Sequence, residues 1–158
     1  MHIRLTPAEY VHAAHAGFMR QASNTCKGRI DAYGYSGIGY DLHIQGAIAE
    51  FVVAKAMRLF WTGLSAVGAS DVAGLQVRSS ANHNYRLIVH PGDPDDAPFV
   101  LVTGNSLEYV VRGWIYGSEA KQQQYWQEPV KGRPAYFVPQ SDLHSIDELQ
   151  EILNGVIA

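Results

Sequence analysis

The sequence predicts one α/β or α+β domain, built on a central mixed β-sheet that is flanked by helices. Three observations lead to this class. The chain has 158 residues, a length typical of a single domain with one hydrophobic core, so we assign residues 1–158 to one domain. Apolar residues make up 47% of the chain, enough to fill such a core. Helical and strand-like segments are interspersed, and no linker or internal repeat separates them.

Capping signals and apolar patterns predict four helices. Thr6 and Glu9 form a capping box around a proline at the first helical position, and Ser145 with Glu148 forms a second box near the end of the chain. The second helix is apolar almost all round, which is typical of a buried helix. The predicted helices cover residues 6–21, 42–59, 118–127 and 145–154.

Short apolar runs separated by turn residues predict five strands between and after these helices. The turn residues are asparagine, glycine, proline and aspartate, which favour reversals of the backbone. A glycine- and tyrosine-rich loop is expected over residues 23–41. The predicted strands cover residues 75–79, 85–90, 99–103, 108–116 and 135–138.

Composition excludes several classes of protein. With 12 lysines and arginines against 15 acidic residues, the net charge is −3, which weighs against a strong non-specific binder of nucleic acid. Cys26 is the only cysteine, so neither an intrachain disulfide nor a cysteine zinc cluster is expected. No apolar run is long enough to cross a bilayer, and the first residues do not resemble a signal peptide. A cytoplasmic location without membrane contact is therefore the expectation.

Glu50 is the first candidate functional residue. It lies in the middle of the apolar second helix, and none of its helical neighbours three or four positions away can pair with a carboxylate. Burial of an unpaired carboxylate is costly, so an inward-facing Glu50 requires a cation or a hydrogen bond from elsewhere in the protein. The alternative is that Glu50 lies at the exposed edge of the helix. The helix alone does not decide between the two.

Asp71, Gln76 and Arg78 form the second candidate group. Asp71 precedes the first predicted strand after the second helix, and strand alternation places Gln76 and Arg78 on the same face of that strand. A short turn would bring the carboxylate of Asp71 beside Gln76. Without Glu50, an ordinary loop aspartate and a half-exposed edge strand explain the same pattern.

Together, Glu50, Asp71, Gln76 and Arg78 resemble the motif of the PD-(D/E)XK nuclease superfamily, in a Gln-x-Arg variant typical of a small phage or prophage member. In that family a helical glutamate is followed by an aspartate and by an acid-x-lysine pair on the next strand. Further similarity extends over most of residues 20–149. It is carried by residues 86–89, 95–102, 113–121 and 134–139.

The resemblance implies a restriction-endonuclease-like fold and a metal-dependent nuclease that hydrolyses phosphodiester bonds in DNA. Glu50, Asp71 and Gln76 would hold Mg²⁺ or Mn²⁺, and Arg78 would stabilise the charge that builds up in the transition state. Nucleic acid would then be the partner, and the host cytoplasm the location of a phage-encoded protein. Whether the chain forms a homodimer stays open.

Two departures from the family motif keep other functions open. Gln76 contributes a neutral oxygen where an acid would hold a metal more strongly, and Arg78 cannot readily lose a proton as a lysine can. The alternative is a catalytically degenerate nuclease-fold protein that binds nucleic acid or another phage protein without cleavage. A third hypothesis is a structural subunit in which Glu50 neutralises a buried arginine.

Overall fold

The computed structural model describes residues 1–27, 40–63 and 71–157. Most of the predicted glycine-rich loop lies outside these residues. None of the described helices is long and apolar enough to cross a membrane. The described helices are α1 (Pro7–Cys26), α2 (Tyr40–Met57), α3 (Gly117–Ala120) and α4 (Ile146–Ile157). The described strands are β1 (His2–Arg4), β2 (Gln76–Ser80), β3 (Leu87–Val89), β4 (Pro98–Asn105), β5 (Glu108–Tyr116), β6 (Trp126–Gln127) and β7 (Ala135–Val138).

The described strands form two sheets. The larger has the order β1-β5-β4-β2, in which β2 and β4 are parallel and the other neighbours antiparallel. The smaller is antiparallel, with the order β3-β7-β6. The predicted α+β class and its mixed sheet are thus confirmed.

The larger sheet is covered differently on its two faces. Along β4, Val100 and Val102 join the core cluster that contains residues of α1, α2 and α4. Phe99 and Leu101, which point the opposite way, join a second cluster with residues of β3 and β7. We call these the helix face and the small-sheet face. The prediction that helices flank the sheet therefore holds for one face, since the short strands β3 and β7 bury their apolar residues against the other.

β2 lies at one edge of the larger sheet, opposite β1, and is the strand that positions Gln76 and Arg78. Val77 packs against the core of the helix face. Arg78 points to the small-sheet face, where its guanidinium carbon lies 5.0 Å from the centre of the Phe99 ring. Gln76 shares that face because side chains two residues apart in a strand point the same way.

α1 and α2 pack closely together at Gly17. A Cβ atom at this position would overlap the carbonyl oxygen of His43 in α2. Glycine therefore allows the two backbones to approach closely where the second half of α1 passes the first turns of α2.

One predicted helix is wrong in most of its length. We expected residues 118–127 to be helical, but α3 ends at Ala120 and is followed by a 3₁₀ turn and by β6. The helix ends before Lys121, whose backbone ψ of 49° is not helical. The Nζ of Lys121 bonds to the Asp93 carbonyl and, at 2.6 Å, to the Asp95 carboxylate. Trp126 then pairs with Tyr136 as part of the small sheet. β1 and β6 had no counterpart among the predicted strands.

Most other boundaries differ from the predictions by a few residues. α1 extends five residues beyond the predicted end at position 21, and α2 starts two residues earlier than predicted. α2 stops before Arg58, whose φ of 55° lies in the left-handed region. β5 and β7 have the predicted bounds.

Candidate functional site

Glu50 is buried on α2, with 6% of its surface exposed, so the exposed-edge interpretation is wrong. Its carboxylate accepts two hydrogen bonds from the guanidinium of Arg20 in α1, each at 2.6 Å. The indole Nε1 of Trp61 donates a third bond at 3.0 Å. Both oxygens of Glu50 are therefore occupied by donors from outside its own helix.

Arg20 is held in this position by several contacts. Its Nε donates to the carbonyl oxygen of Gly63 at 3.0 Å, and its guanidinium carbon lies 5.9 Å from the centre of the Trp61 ring. Its side chain is 10% exposed, about as little as that of Glu50 at 8%. We call Arg20, Glu50 and Trp61 the buried triad. A buried ion pair of this kind is satisfied only because the remaining donors and acceptors also find partners.

Asp71 begins a tight turn that leads into β2. Its backbone N–H bonds to the Leu75 carbonyl at 2.9 Å, across a turn in which Ala73 and Gly74 both have positive φ. Its Oδ2 accepts the backbone N–H of Val77 at 2.7 Å. A bond to the backbone of Val77 thus fixes Asp71 beside the strand.

The electrostatic surroundings of Asp71 link it to the buried triad. Burial raises the pKa of the Asp71 carboxyl above its ordinary value, the Val77 amide opposes that shift, and the negative charge of Glu50 adds to it. The positive charges of Arg78 and Arg20 lower the same pKa. Two carboxylates and two guanidinium groups therefore interact around the start of β2.

Arg78 is engaged on the small-sheet face. Its Nη2 bonds to the Asp93 carboxylate at 2.8 Å, and its Nε bonds to the Ile88 carbonyl of β3 at 3.3 Å. Its Nη1 bonds to the carbonyl of Val77 at 3.3 Å. Together with its position over the Phe99 ring, these contacts make Arg78 a link between the two sheets.

The four predicted residues are therefore only partly brought together. Glu50 and Asp71 interact electrostatically, with Glu50 on the helix face and Asp71 next to the outer edge of β2. Gln76 and Arg78 lie on the small-sheet face, and Arg78 is directed at Asp93. Glu50 and Arg78 therefore lie on opposite faces of the larger sheet.

The predicted metal ligands do not fit a divalent cation as they are arranged. Mg²⁺ and Mn²⁺ need several oxygens, including water, around one point. Both oxygens of Glu50 and one oxygen of Asp71 already accept hydrogen bonds. In residues 1–27, 40–63 and 71–157, no group of three or more histidine, cysteine, aspartate or glutamate side chains is placed to hold a metal ion.

Sequence reasoning missed the partners that determine this geometry. Neither Arg20 nor Trp61 was among the candidate residues. A usable signal existed, since Arg20 is the only lysine or arginine between Arg4 and Lys27, and an acid stands alone in the next helix. Asp93 was not a candidate either, although its carboxylate anchors Arg78.

A small cleft lies at the other end of β2. It has a volume of about 210 Å³, and Gln45, Ser79, Ser80, Val102 and Tyr109 are among its lining residues. None of the described residues that line it is charged. Its described lining therefore contains neither a carboxylate for a metal ion nor a cation for a phosphate.

Comparisons of the chain with family models, with curated proteins and with solved structures gave no match.

Proposed function

We propose that the chain is a non-cleaving binding protein of restriction-endonuclease-like ancestry, and that its partner is another protein. The observation that carries the proposal is the buried triad, because it occupies both oxygens of the residue on which metal-dependent cleavage would depend. The engagement of Arg78 with Asp93 supports it further, since this arginine is not directed at the acidic pair.

The distribution of charge favours a protein partner over nucleic acid. Affinity for a phosphate backbone comes largely from lysine and arginine side chains that are free to neutralise phosphates. Here the net charge is −3, and five of the 11 lysines and arginines that the structure describes are already in ion pairs with acidic residues. These basic residues are Arg4, Arg20, Lys55, Arg78 and Lys121.

The proposal is tested first by cleavage assays. Linear, nicked and single-stranded DNA are incubated with the protein and Mg²⁺ or Mn²⁺, and Asp71→Asn is compared with wild type. We expect no cleavage by either protein. Metal-dependent cutting by the wild type that Asp71→Asn abolishes and the surface control Asp142→Asn retains would overturn the proposal.

DNA affinity gives a second test of the same proposal. Fluorescence anisotropy with short duplex and single-stranded DNA at low and physiological salt is expected to show only weak binding, with a Kd on the order of 10⁻⁴ M or above at physiological salt. A submicromolar Kd that weakens steeply with salt would show that the partner is nucleic acid.

A metal-dependent nuclease is the second candidate function, and one observation favours it. Glu50 and Asp71 lie close enough for the charge of one to raise the pKa of the other. Paired carboxylates of this kind are typical of sites that hold divalent cations. Activity would require Arg20 to leave Glu50, and the cleavage assay above distinguishes this candidate from the first.

A further inference from the structure

We propose that the side of α1 that faces away from the core is a docking surface for a second copy of this chain, with the two α1 helices antiparallel across a twofold axis. The inference goes beyond the proposed function and does not depend on it, because it concerns how two copies meet and not which other protein is bound. We call this side of the helix the α1 surface.

The spacing of its residues defines the α1 surface. The helix buries Ala13 and Gly17 on the side that packs against the rest of the protein. The opposite side carries residues separated alternately by three and four positions, which is the spacing that forms a continuous seam between paired helices. These residues are Ala8, Val11, His15, Phe18, Ala22 and Thr25.

The α1 surface exposes large apolar side chains. Val11, Phe18 and Met19 are 66%, 47% and 54% exposed. Single exposed apolar residues are common on protein surfaces, but a cluster of them is typical of a surface that binds another protein.

The α1 surface is also without charge. Between Tyr10 and Cys26, Arg20 is the only aspartate, glutamate, lysine or arginine, and its side chain is only 10% exposed because it pairs with Glu50. The cores of protein interfaces are depleted of charged residues in the same way. Two identical surfaces of this kind can therefore meet without burying like charges.

Antiparallel pairing makes the α1 surface complementary to itself. If His15 of one copy lies opposite Phe18 of the other, the seam spacing places Val11 opposite Ala22. The larger apolar side chain then meets a smaller one, and the imidazole lies against an aromatic ring. Each such contact occurs twice, because the twofold axis repeats it.

The charges at the two ends of α1 favour the antiparallel orientation. The first turn contains an acid, Glu9, and the C-terminal cap is an exposed cation, Lys27. An antiparallel pair brings the acidic end of each helix beside the cationic end of the other and opposes the two helix dipoles. A parallel pair would instead place like charges together at both ends.

The area of the α1 surface determines the expected affinity. A helix of 20 residues is about 30 Å long and about 10 Å wide, which gives on the order of 300 Å² per copy. Phe60, 86% exposed, adds apolar area at the border, since the neighbouring Trp61 ring lies 6.0 Å from that of His12. Stable dimers bury about 800 Å² per partner, so the α1 surface is suited to a weak, reversible dimer.

Sedimentation velocity over a range of protein concentrations tests the association. We expect a dimer with a Kd on the order of 10⁻⁵–10⁻⁴ M. Val11→Glu should weaken it by about tenfold or more, because each dimer would bury two unpaired carboxylates. Val130→Glu is the matched control and should leave the Kd unchanged. Val130 is 57% exposed and lies between β6 and β7, on the far side of the larger sheet from α1.

Cysteine cross-linking tests the orientation. Cys26, the only cysteine, is the last residue of α1, so a parallel pair would bring the two thiols together. An antiparallel pair separates them by roughly 30 Å. A short bismaleimide should therefore not join two wild-type chains. His15→Cys combined with Cys26→Ser should cross-link, because position 15 lies near the twofold axis.

A wild type that stays monomeric well above 10⁻⁴ M would refute the inference and leave the α1 surface to a different protein. Equal effects of Val11→Glu and Val130→Glu would refute it as well, since the dimer would then form elsewhere. Cross-linking of the wild type through Cys26 would overturn the antiparallel arrangement. The first and last of these results use the wild type, so they hold even if Val11→Glu does not fold. DNA cleavage would refute the proposed function and leave this inference standing.

Discussion

The two faces of the larger sheet each contain an arginine–carboxylate pair, and the pairs differ in how deeply they are buried. On the helix face, the side chains of Arg20 and Glu50 are 10% and 8% exposed and a tryptophan completes the network. On the small-sheet face, Arg78 and Asp93 are 24% and 11% exposed, and the carboxylate also accepts the backbone N–H of His90.

The comparison shows that two pairs of the same chemical type contribute to the structure in different ways. Removing one partner of a buried pair leaves a charge without compensation in a medium of low polarity. Removing Arg78 from the less buried pair leaves the Asp93 carboxylate with the N–H of His90 still donating to it, and the loss is then mostly that of individual hydrogen bonds. The two pairs should therefore respond very differently to matched substitutions.

The largest effect is expected for Glu50→Ala. Loss of the carboxylate leaves the buried guanidinium of Arg20 unpaired, so the free energy of unfolding should fall by about 3–5 kcal/mol. Urea denaturation measures it. The double variant Arg20→Met with Glu50→Leu should recover most of the loss, since it removes both charges. A loss below about 1 kcal/mol for Glu50→Ala would mean that the pair is not buried as described.

A smaller loss is expected for Arg78→Met. The substitution removes the bonds to Asp93 and to the Ile88 carbonyl but keeps an apolar stem over the Phe99 ring. We expect a decrease in unfolding free energy of about 1–2 kcal/mol, measured by the same denaturation experiment. The exposed residue Lys131 serves as a control, because Lys131→Met should have almost no effect. A decrease in unfolding free energy as large as that of Glu50→Ala would contradict the expected difference between the two ion pairs.

Gly17→Ala tests whether the helix face depends on the close approach of α1 and α2. The added methyl group overlaps the His43 carbonyl, and overpacking of this kind costs roughly 1–3 kcal/mol, of which the higher helix propensity of alanine offsets a part. The net loss should be about 1 kcal/mol. Trp61 fluorescence should change as well, since its ring lies against Arg20. An unchanged free energy of unfolding would show that α1 and α2 can shift apart to accommodate the methyl group without loss of stability.

The smallest effect is expected for Asp71→Asn, and it depends on pH. Burial raises the pKa of Asp71 in the folded protein above the value of 3.8 that applies to an exposed aspartate. The folded state therefore holds the proton more tightly, and the stability of the wild type declines as the pH rises from about 3.8 through the folded pKa. Asparagine keeps an acceptor for the Val77 N–H and does not titrate.

Denaturation between about pH 4 and pH 7 tests this difference. The stability of Asp71→Asn relative to wild type should increase as the pH rises. A constant difference between the two proteins over that range would contradict the raised pKa.

The sequence was informative where a single local signal decides the structure. Thr6 and Glu9 form the predicted capping box at the start of α1, and the bounds of β5 and β7 follow directly from their apolar runs. The sequence left open whether Glu50 is buried or exposed. The pattern of α2 shows that the helix is apolar, but it does not show which residues contact Glu50. The partner that decides the matter, Arg20, lies 30 residues away.

The sequence could not show whether the four candidate residues lie close together. Strand alternation tells which side chains share a face, but it does not tell which of the two faces is turned toward α2. Arg78 lies on the face opposite α2. The small sheet that covers this face depends on contacts such as Leu87 with Val138, far apart in the chain. The contacts of Lys121 with the Asp93–Asp95 turn likewise join residues that are distant in the sequence.

The contacts of Val77 have a consequence for how this protein behaves at high concentration. An outermost strand usually presents free N–H and C=O groups, which allow strands of other molecules to add to it and start aggregates. Asp71 bonds to the N–H of Val77 and Arg78 bonds to its C=O, so both groups are already occupied near the start of β2. The two side chains that the sequence analysis assigned to chemistry thus also leave these backbone groups unable to pair with a strand of another molecule.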